Sequence, residues 1–317
     1  MNSAISVRQV TKRYRRNLVL DRLNLEVPQG VVFALLGDNG VGKSTLIRGL
    51  LGYHKFNYGE ISVLGYDPIK DARALRRKVG YVADNPGLYE WMTVGQAGWY
   101  ASAFYADGFL DRYDQMAFEF GLPQDAKIRT LSKGMKAKVA LSLAMAFEPE
   151  LLLLDEPTSG LDPVVRRAFM ESMIDRAAAG QTVFLSSHQI QDVERVADWV
   201  AIVSDGKAVV VAPLDELKSQ VSILSYALKD PLLSPPAVED HVRVLKSKQS
   251  GRVIEMTVMG EVEAILSELK DNENCFDVRS IRPNLEELYV AFTQPKQVAV
   301  PSTTAKAFSE AANESVA

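Results

Sequence analysis

Nine consecutive residues, Gly37-Asp-Asn-Gly-Val-Gly-Lys-Ser-Thr45, have the composition of a loop built to hold phosphate. Gly37, Gly40 and Gly42 let backbone N–H groups turn inward around phosphate oxygens with no Cβ in the way. Asp38, Asn39 and Val41 fill the positions between them. Lys43 has the reach for β- and γ-phosphates, and the Ser44 hydroxyl can ligate Mg²⁺. Thr45 opens a helical pattern running to Leu51, whose positive dipole end faces the same anion. Before the loop, Val31-Val-Phe-Ala-Leu-Leu36 reads as a buried strand. A spaced loop of this kind arises by chance in about 1% of chains of this length, and fewer once the strand and helix are required.

A second run, Leu151-Leu-Leu-Leu-Asp155-Glu156, is an apolar strand ending in adjacent carboxylates. Taken alone, it could be a strand that ends in solvated acids. In an open α/β sheet, however, strand ends of this kind line the crevice where ligands bind. Beside a phosphate loop, Asp155 is expected to hold Mg²⁺ mostly through water, and Glu156 to polarise an attacking water as general base.

The elements that must position these residues alternate in the manner of an α/β fold. Leu151–Leu154, Thr182–Leu185 and Trp199–Val203 are further strand candidates. Between the first two lies a helix with Asp162 as N-cap, Pro163 at its first position and Gly180 past its last turn. Residues 87–150 are aromatic and helix-rich, with Met135, Val139, Leu143 and Phe147 expected on one helical face. We read them as a helical subdomain inserted into a sheet domain spanning residues 1–217. Residues 218–293 form a small α+β domain, with strands Val221–Leu228, Val242–Leu245, Arg252–Val258 and Phe276–Ile281 and helices Glu261–Lys270 and Leu285–Phe292. Residues 294–317 are Ala, Ser, Thr, Pro and Lys with almost no large apolar side chains, so disorder is expected there.

Composition narrows the possible partners. The 317 residues are 47% hydrophobic and 24% charged, and 36 Lys+Arg against 40 Asp+Glu leave a net charge of −4. That balance argues against a nucleic-acid binder. The basic group Lys12, Arg13, Arg15 and Arg16 reads as a solvated loop. The single cysteine, Cys275, precludes an intramolecular disulfide and reads as a small buried residue at a strand start. No apolar run is long enough to cross a bilayer, and the N-terminus lacks the apolar core of a signal peptide. The expectation is a cytosolic protein. At a membrane, another polypeptide would do the crossing.

In chain order, Tyr14, Gly37–Thr45, Leu131-Ser-Lys-Gly134, Leu151–Pro157, Ser159-Gly-Leu-Asp162 and His188 resemble the ATP-binding subunit of an ABC transporter, over about residues 4–213. The resemblance implies ATP and Mg²⁺ as ligands. It also implies two subunits, identical or not, that sandwich two ATP molecules head to tail. Ser132 and the Gly134 backbone would then meet the γ-phosphate held by the partner's copy of Lys43. Tyr14 looks like the aromatic that stacks on adenine, Ser159 and Asp162 resemble the loop coupling the two sites, and His188 resembles the histidine at the γ-phosphate.

Two positions depart from the pattern. Where the family usually has Gln, sometimes Glu, to reach the metal, this chain has Asp84, or Asn85 one place on. Met135 follows the signature glycine in place of Gln and is expected to pack. Leu88, Tyr89, Trp91, Trp99, Tyr100 and Phe104 fall where the family receives helices of a transmembrane permease, unless they pack internally; Tyr89 and Trp91 are the better interface candidates. Asn284–Thr293 resembles the end of the accessory domain of exporter-type subunits. The implied protein is therefore an ATPase peripheral to the inner face of the membrane, driving a permease in the export direction. The rival reading is a soluble ABC-type ATPase acting on ribosomes or DNA.

Overall fold

The computed structural model describes residues 3–294, apart from Gly160, Leu232, residues 234–235 and residues 237–241. The tail expected to be disordered lies, beyond Gln294, outside the described residues. The chain divides into two compact units between Leu214 and Asp215.

The first unit opens with β1 (Ser3–Tyr14), β2 (Asn17–Pro28), β3 (Val32–Leu36), α1 (Lys43–Leu50), β4 (Tyr58–Val63), α2 (Ala72–Leu75) and β5 (Val79–Val82). It continues with α3 (Val94–Ser102), α4 (Phe109–Glu119), α5 (Lys133–Met145), β6 (Leu151–Asp155), α6 (Pro163–Ala178), β7 (Thr182–Ser187), α7 (Ile190–Val196), β8 (Trp199–Ser204) and β9 (Lys207–Pro213). Strands β5-β6-β7-β3-β8-β9 make a six-stranded sheet, parallel except for the β8–β9 pair. Every residue of β3 and β6 is buried, which is why both read as unbroken apolar runs. A separate antiparallel sheet, β2-β1-β4, packs on the same core. Leu46, Ile47 and Leu50 of α1 are buried in that core together with Val7, Leu23 and Leu25 of the antiparallel sheet and Phe33 and Leu35 of β3.

The antiparallel sheet is absent from the elements read from the sequence. Its trace is the alternation Leu23, Leu25, Val27 along β2, buried at every second residue. The basic group also changes place: Lys12 and Arg13 lie within β1, and Arg15 and Arg16 form the hairpin turn after it rather than a loop.

Helices α3, α4 and α5 enclose a core of their own, including Val94, Phe109, Tyr113, Ile128 and Val139. Helix α5 ends at Met145, so Phe147 is beyond it rather than on its face, although its ring stacks on Tyr105 and it still packs on this core. Met135 packs there too, as expected. Helix α5 approaches β5 so closely that a Cβ on Gly80 would stand 2.4 Å from Ala144 O. Helix α6 has the expected punctuation: Asp162 accepts from Val164 N and Val165 N, Pro163 is first, and Gly180 follows with φ +88°.

Helix α8 (Leu214–Gln220) begins at the last residue of the first unit. In the second unit, β10 (Val221–Leu228), β11 (Val242–Ser250), β12 (Val253–Gly260) and β13 (Cys275–Ile281) form an antiparallel sheet of order β11-β12-β10-β13. Ile265 and Leu269 of α9 (Val262–Asp271) pack on it, and α10 (Leu285–Thr293) closes the described chain with a capping box between Asn284 and Glu287. Cys275 is buried at the start of β13, and burial raises its thiol pKa. Burial also pushes the Tyr226 phenol up to about 12.

Candidate functional site

The strand order β6-β7-β3 gathers three chain segments at one edge of the parallel sheet, because all three strands run the same way and end there. The phosphate loop leaves β3, Asp155 and Glu156 end β6, and His188 follows β7.

Lys43 opens α1 with its ammonium almost wholly buried, at 5% exposure. It donates to Gly37 O at 2.6 Å and Asp38 O at 3.3 Å, wrapping the loop around itself. Gly42, the N-cap, has φ +111° and supplies no side chain, so the first amides of α1 stay open to an anion. A Cβ on Gly42 would stand 2.6 Å from Leu20 Cδ2. Gly42→Ala therefore combines a left-handed backbone with a clash and is expected to cost about 1–3 kcal/mol. The urea midpoint should fall and nucleotide binding weaken. Gly40→Ala, with φ +83° but open space around it, should be the milder of the two.

Asp155 is buried, and its Oδ1 accepts from Ser44 Oγ at 3.0 Å and from Ser186 Oγ at 2.8 Å. Glu156, with φ +49°, turns sharply out of the strand; its N–H donates to Ser186 Oγ and Ser186 O at 3.1 and 3.2 Å. Glu156 Oε2 accepts from His188 Nδ1 at 2.7 Å and from His188 N at 3.3 Å. Its Oε1 lies 3.0 Å from Lys43 Nζ, an ion pair by distance, yet this atom is buried without hydrogen-bond alignment. The Lys43 ammonium thus already faces an anionic oxygen, the chemical class that a phosphate presents.

The remaining predicted residues stand further out. Tyr14, at the end of β1, is 48% exposed, with Lys12 Nζ 4.9 Å from its ring centroid and the His54 ring 6.3 Å away edge-on. His54 Nε2 donates to Thr45 O at 2.9 Å, linking Tyr14 to the end of the phosphate loop. Burial, aided by the Lys12 charge, lowers the His54 pKa. Ser132 caps α5 by accepting from Met135 N, and Gly134 is in its first turn. Asp84 is exposed and pairs with Lys133 Nζ at 3.7 Å, not with Ser44 or Asp155. Ser159 N donates to Glu156 O at 3.1 Å.

Leu88 packs into the helical core, whereas Trp91, Tyr89, Tyr100 and Phe104 form an exposed ladder of ring contacts with centroids 6.1, 5.8 and 5.5 Å apart in turn. Trp99 is exposed as well.

Sequence reasoning missed Ser186 and Lys133. Ser186 is a wholly buried hydroxyl directly after the apolar run Val183-Phe-Leu185, and that change of residue type was the available signal.

A buried lysine at an uncapped helix start, two adjacent carboxylates and a parallel sheet define a P-loop nucleoside triphosphatase. Residues 20–159 match the ABC transporter family. The chain is 32% identical to the bacitracin transport ATP-binding protein BcrA of Bacillus licheniformis, over 76% of this chain and 80% of that protein. It is 38% identical to an uncharacterized ABC transporter ATP-binding protein of Nostoc sp., over 61% of this chain and 59% of that one. A solved structure described as the ATP-binding subunit of an ABC transporter superimposes with a TM-score of 0.64 at 31% identity, covering 69% of this chain and 93% of that one. The chain belongs to the ABC transporter ATP-binding proteins, a family of ATPases that bind ATP with Mg²⁺.

The residues present suit that metal. Ser44 and Asp155 offer hard oxygen donors side by side. Among the described residues no group of three or more His, Cys, Asp or Glu makes an all-protein cage. Mg²⁺ is commonly held in this manner, by one or two side chains together with substrate phosphates. Among the described residues no helix is long and apolar enough to cross a membrane.

Proposed function

We propose that this chain hydrolyses ATP as one of a pair of ATP-binding subunits and thereby drives a separate transmembrane permease. Lys43 and the amides of residues 37–45 hold the phosphates, and Ser44 and Asp155 would hold Mg²⁺, which when bound would supply charge neutralisation at the phosphoryl oxygens. Glu156 takes the proton of the attacking water, and His188 orients that carboxylate through Nδ1. Tyr14 stacks on the base.

The observation that carries the pairing is the separation of the site. Lys43, Glu156 and His188 meet at one sheet edge, while the Ser132 hydroxyl is turned onto Met135 N at the tip of α5. On this reading Ser132 and Gly134 serve the partner's ATP, and Ser159 and Asp162 lie along the seam. The partner is a second copy or a related subunit.

The exposed ladder of Trp91, Tyr89, Tyr100 and Phe104 suits an apolar contact with the permease, since such patches mark interaction sites. That contact would hold the protein at the inner face of the membrane. A relative named as a Nod factor export ATP-binding protein supports the export direction, and the unit after Leu214 is the accessory domain on this reading. The reading predicts that ATP turnover per chain falls on dilution, because each site needs two molecules. Initial phosphate-release rates across a wide range of protein concentrations test this. A specific activity that stays constant down to the lowest concentrations refutes the shared site.

A further inference from the structure

Lys133 occupies a place that helix physics disfavours. It is the first residue of α5, where the positive end of the helix dipole penalises a cation. Its ammonium lies 3.7 Å from Asp84 Oδ1 and 3.3 Å from Ser159 Oγ. One charge therefore touches the segment leaving β5 and the segment leaving β6 while sitting next to Ser132 in sequence. Through Ser159 N, which donates to Glu156 O, it is two contacts from the general base.

The loop carrying Asp84 is fastened to the same helix farther along. Lys136 donates to Glu90 at 2.8 Å and holds that carboxyl below its usual range. Backbone bonds from Arg129 N to Glu90 O and from Ile128 N to Met92 O fix the loop's far end. Lys133 holds its near end, at Asp84. A neutral amide at position 84 would need no compensating cation. The Asp84 carboxylate carries a charge, and the Lys133 ammonium 3.7 Å away stands where it compensates it.

We propose that Lys133 is a positioning residue for ATP hydrolysis: it neutralises Asp84 and thereby keeps the Asp84 segment in register with Ser132. This rests on the ATPase reading above.

The test compares purified full-length Lys133→Met, Lys133→Arg, Asp84→Asn and the double variant Asp84→Asn/Lys133→Met. Lys133→Met should lower kcat about fivefold with KM for ATP changed less than about twofold, and on the Asp84→Asn background it should add nothing. Lys133→Arg should stay close to the unmodified protein. Without nucleotide, Lys133→Met should speed amide exchange at Asp84 and Asn85 by about threefold, in keeping with the modest worth of an exposed ion pair. Losses that multiply in the double variant would overturn the proposal, since the Lys133 charge would then act on nucleotide directly. So would a Lys133→Met protein with unchanged kcat and exchange. Failure of the underlying reading has a different signature: no hydrolysis by the unmodified protein, or undiminished ATP binding by Lys43→Ala.

Discussion

Glu156→Gln is expected to lower kcat for ATP hydrolysis by about 10²- to 10⁴-fold, the usual contribution of a positioned general base and about 3–5.5 kcal/mol of barrier. The amide keeps the shape of the carboxylate but cannot take a proton from water. ATP binding should survive, because the grip on the phosphates comes from Lys43 and the loop amides. With hydrolysis stalled, ATP should remain as the adhesive between subunits. Size-exclusion chromatography with saturating ATP should then show a species of about twice the 35.0 kDa chain mass. A variant that stays monomeric at saturating ATP would count against the sandwich, and one with undiminished turnover would remove Glu156 from its role.

Lys43→Ala should have the opposite signature, losing binding rather than turnover of bound ATP. The ammonium is buried, points back at Gly37 O and Asp38 O, and is the cation facing Glu156. Its loss removes charge-assisted bonds to phosphate and leaves the mostly buried Glu156 carboxylate beside the phosphates with no compensating charge. The dissociation constant for Mg·ATP should rise by at least about a hundredfold, or about 2.7 kcal/mol. Equilibrium binding of a fluorescent ATP analogue measures this, and an unchanged affinity would refute the assignment of the loop.

The parts of the site legible in the sequence were those made by contiguous residues. A glycine loop with Lys43 and Ser44, a buried strand ending in Asp155-Glu156, and the capped start of α6 at Asp162-Pro163 each carry their physics within a few residues. The strands β3, β6 and β7 were legible for a related reason: a strand buried on both faces has to be an apolar run. Weaker local signals failed. The β2-β1-β4 sheet alternates buried and exposed residues with bulges between its registers, which blurs the two-residue period. Phe147 shows the limit of periodicity, since the four-residue repeat continues past the point where α5 ends at Met145.

From the sequence alone followed the chemistry available to this protein: phosphate binding, a base beside a metal-binding carboxylate, and the likeness to ATP-binding subunits of ABC transporters. Only the tertiary structure decided which of those groups meet. It brought Glu156 between Lys43 and His188, put the buried Ser186 hydroxyl on Asp155, turned Lys133 toward Asp84 and Ser159, and set the Ser132 hydroxyl on Met135 N at the tip of α5. The physical reason is that side-chain identity and local backbone preference are written over a few residues, whereas these contacts join segments as far apart in sequence as Lys43 and Glu156. Strand order and helix packing alone bring such segments together.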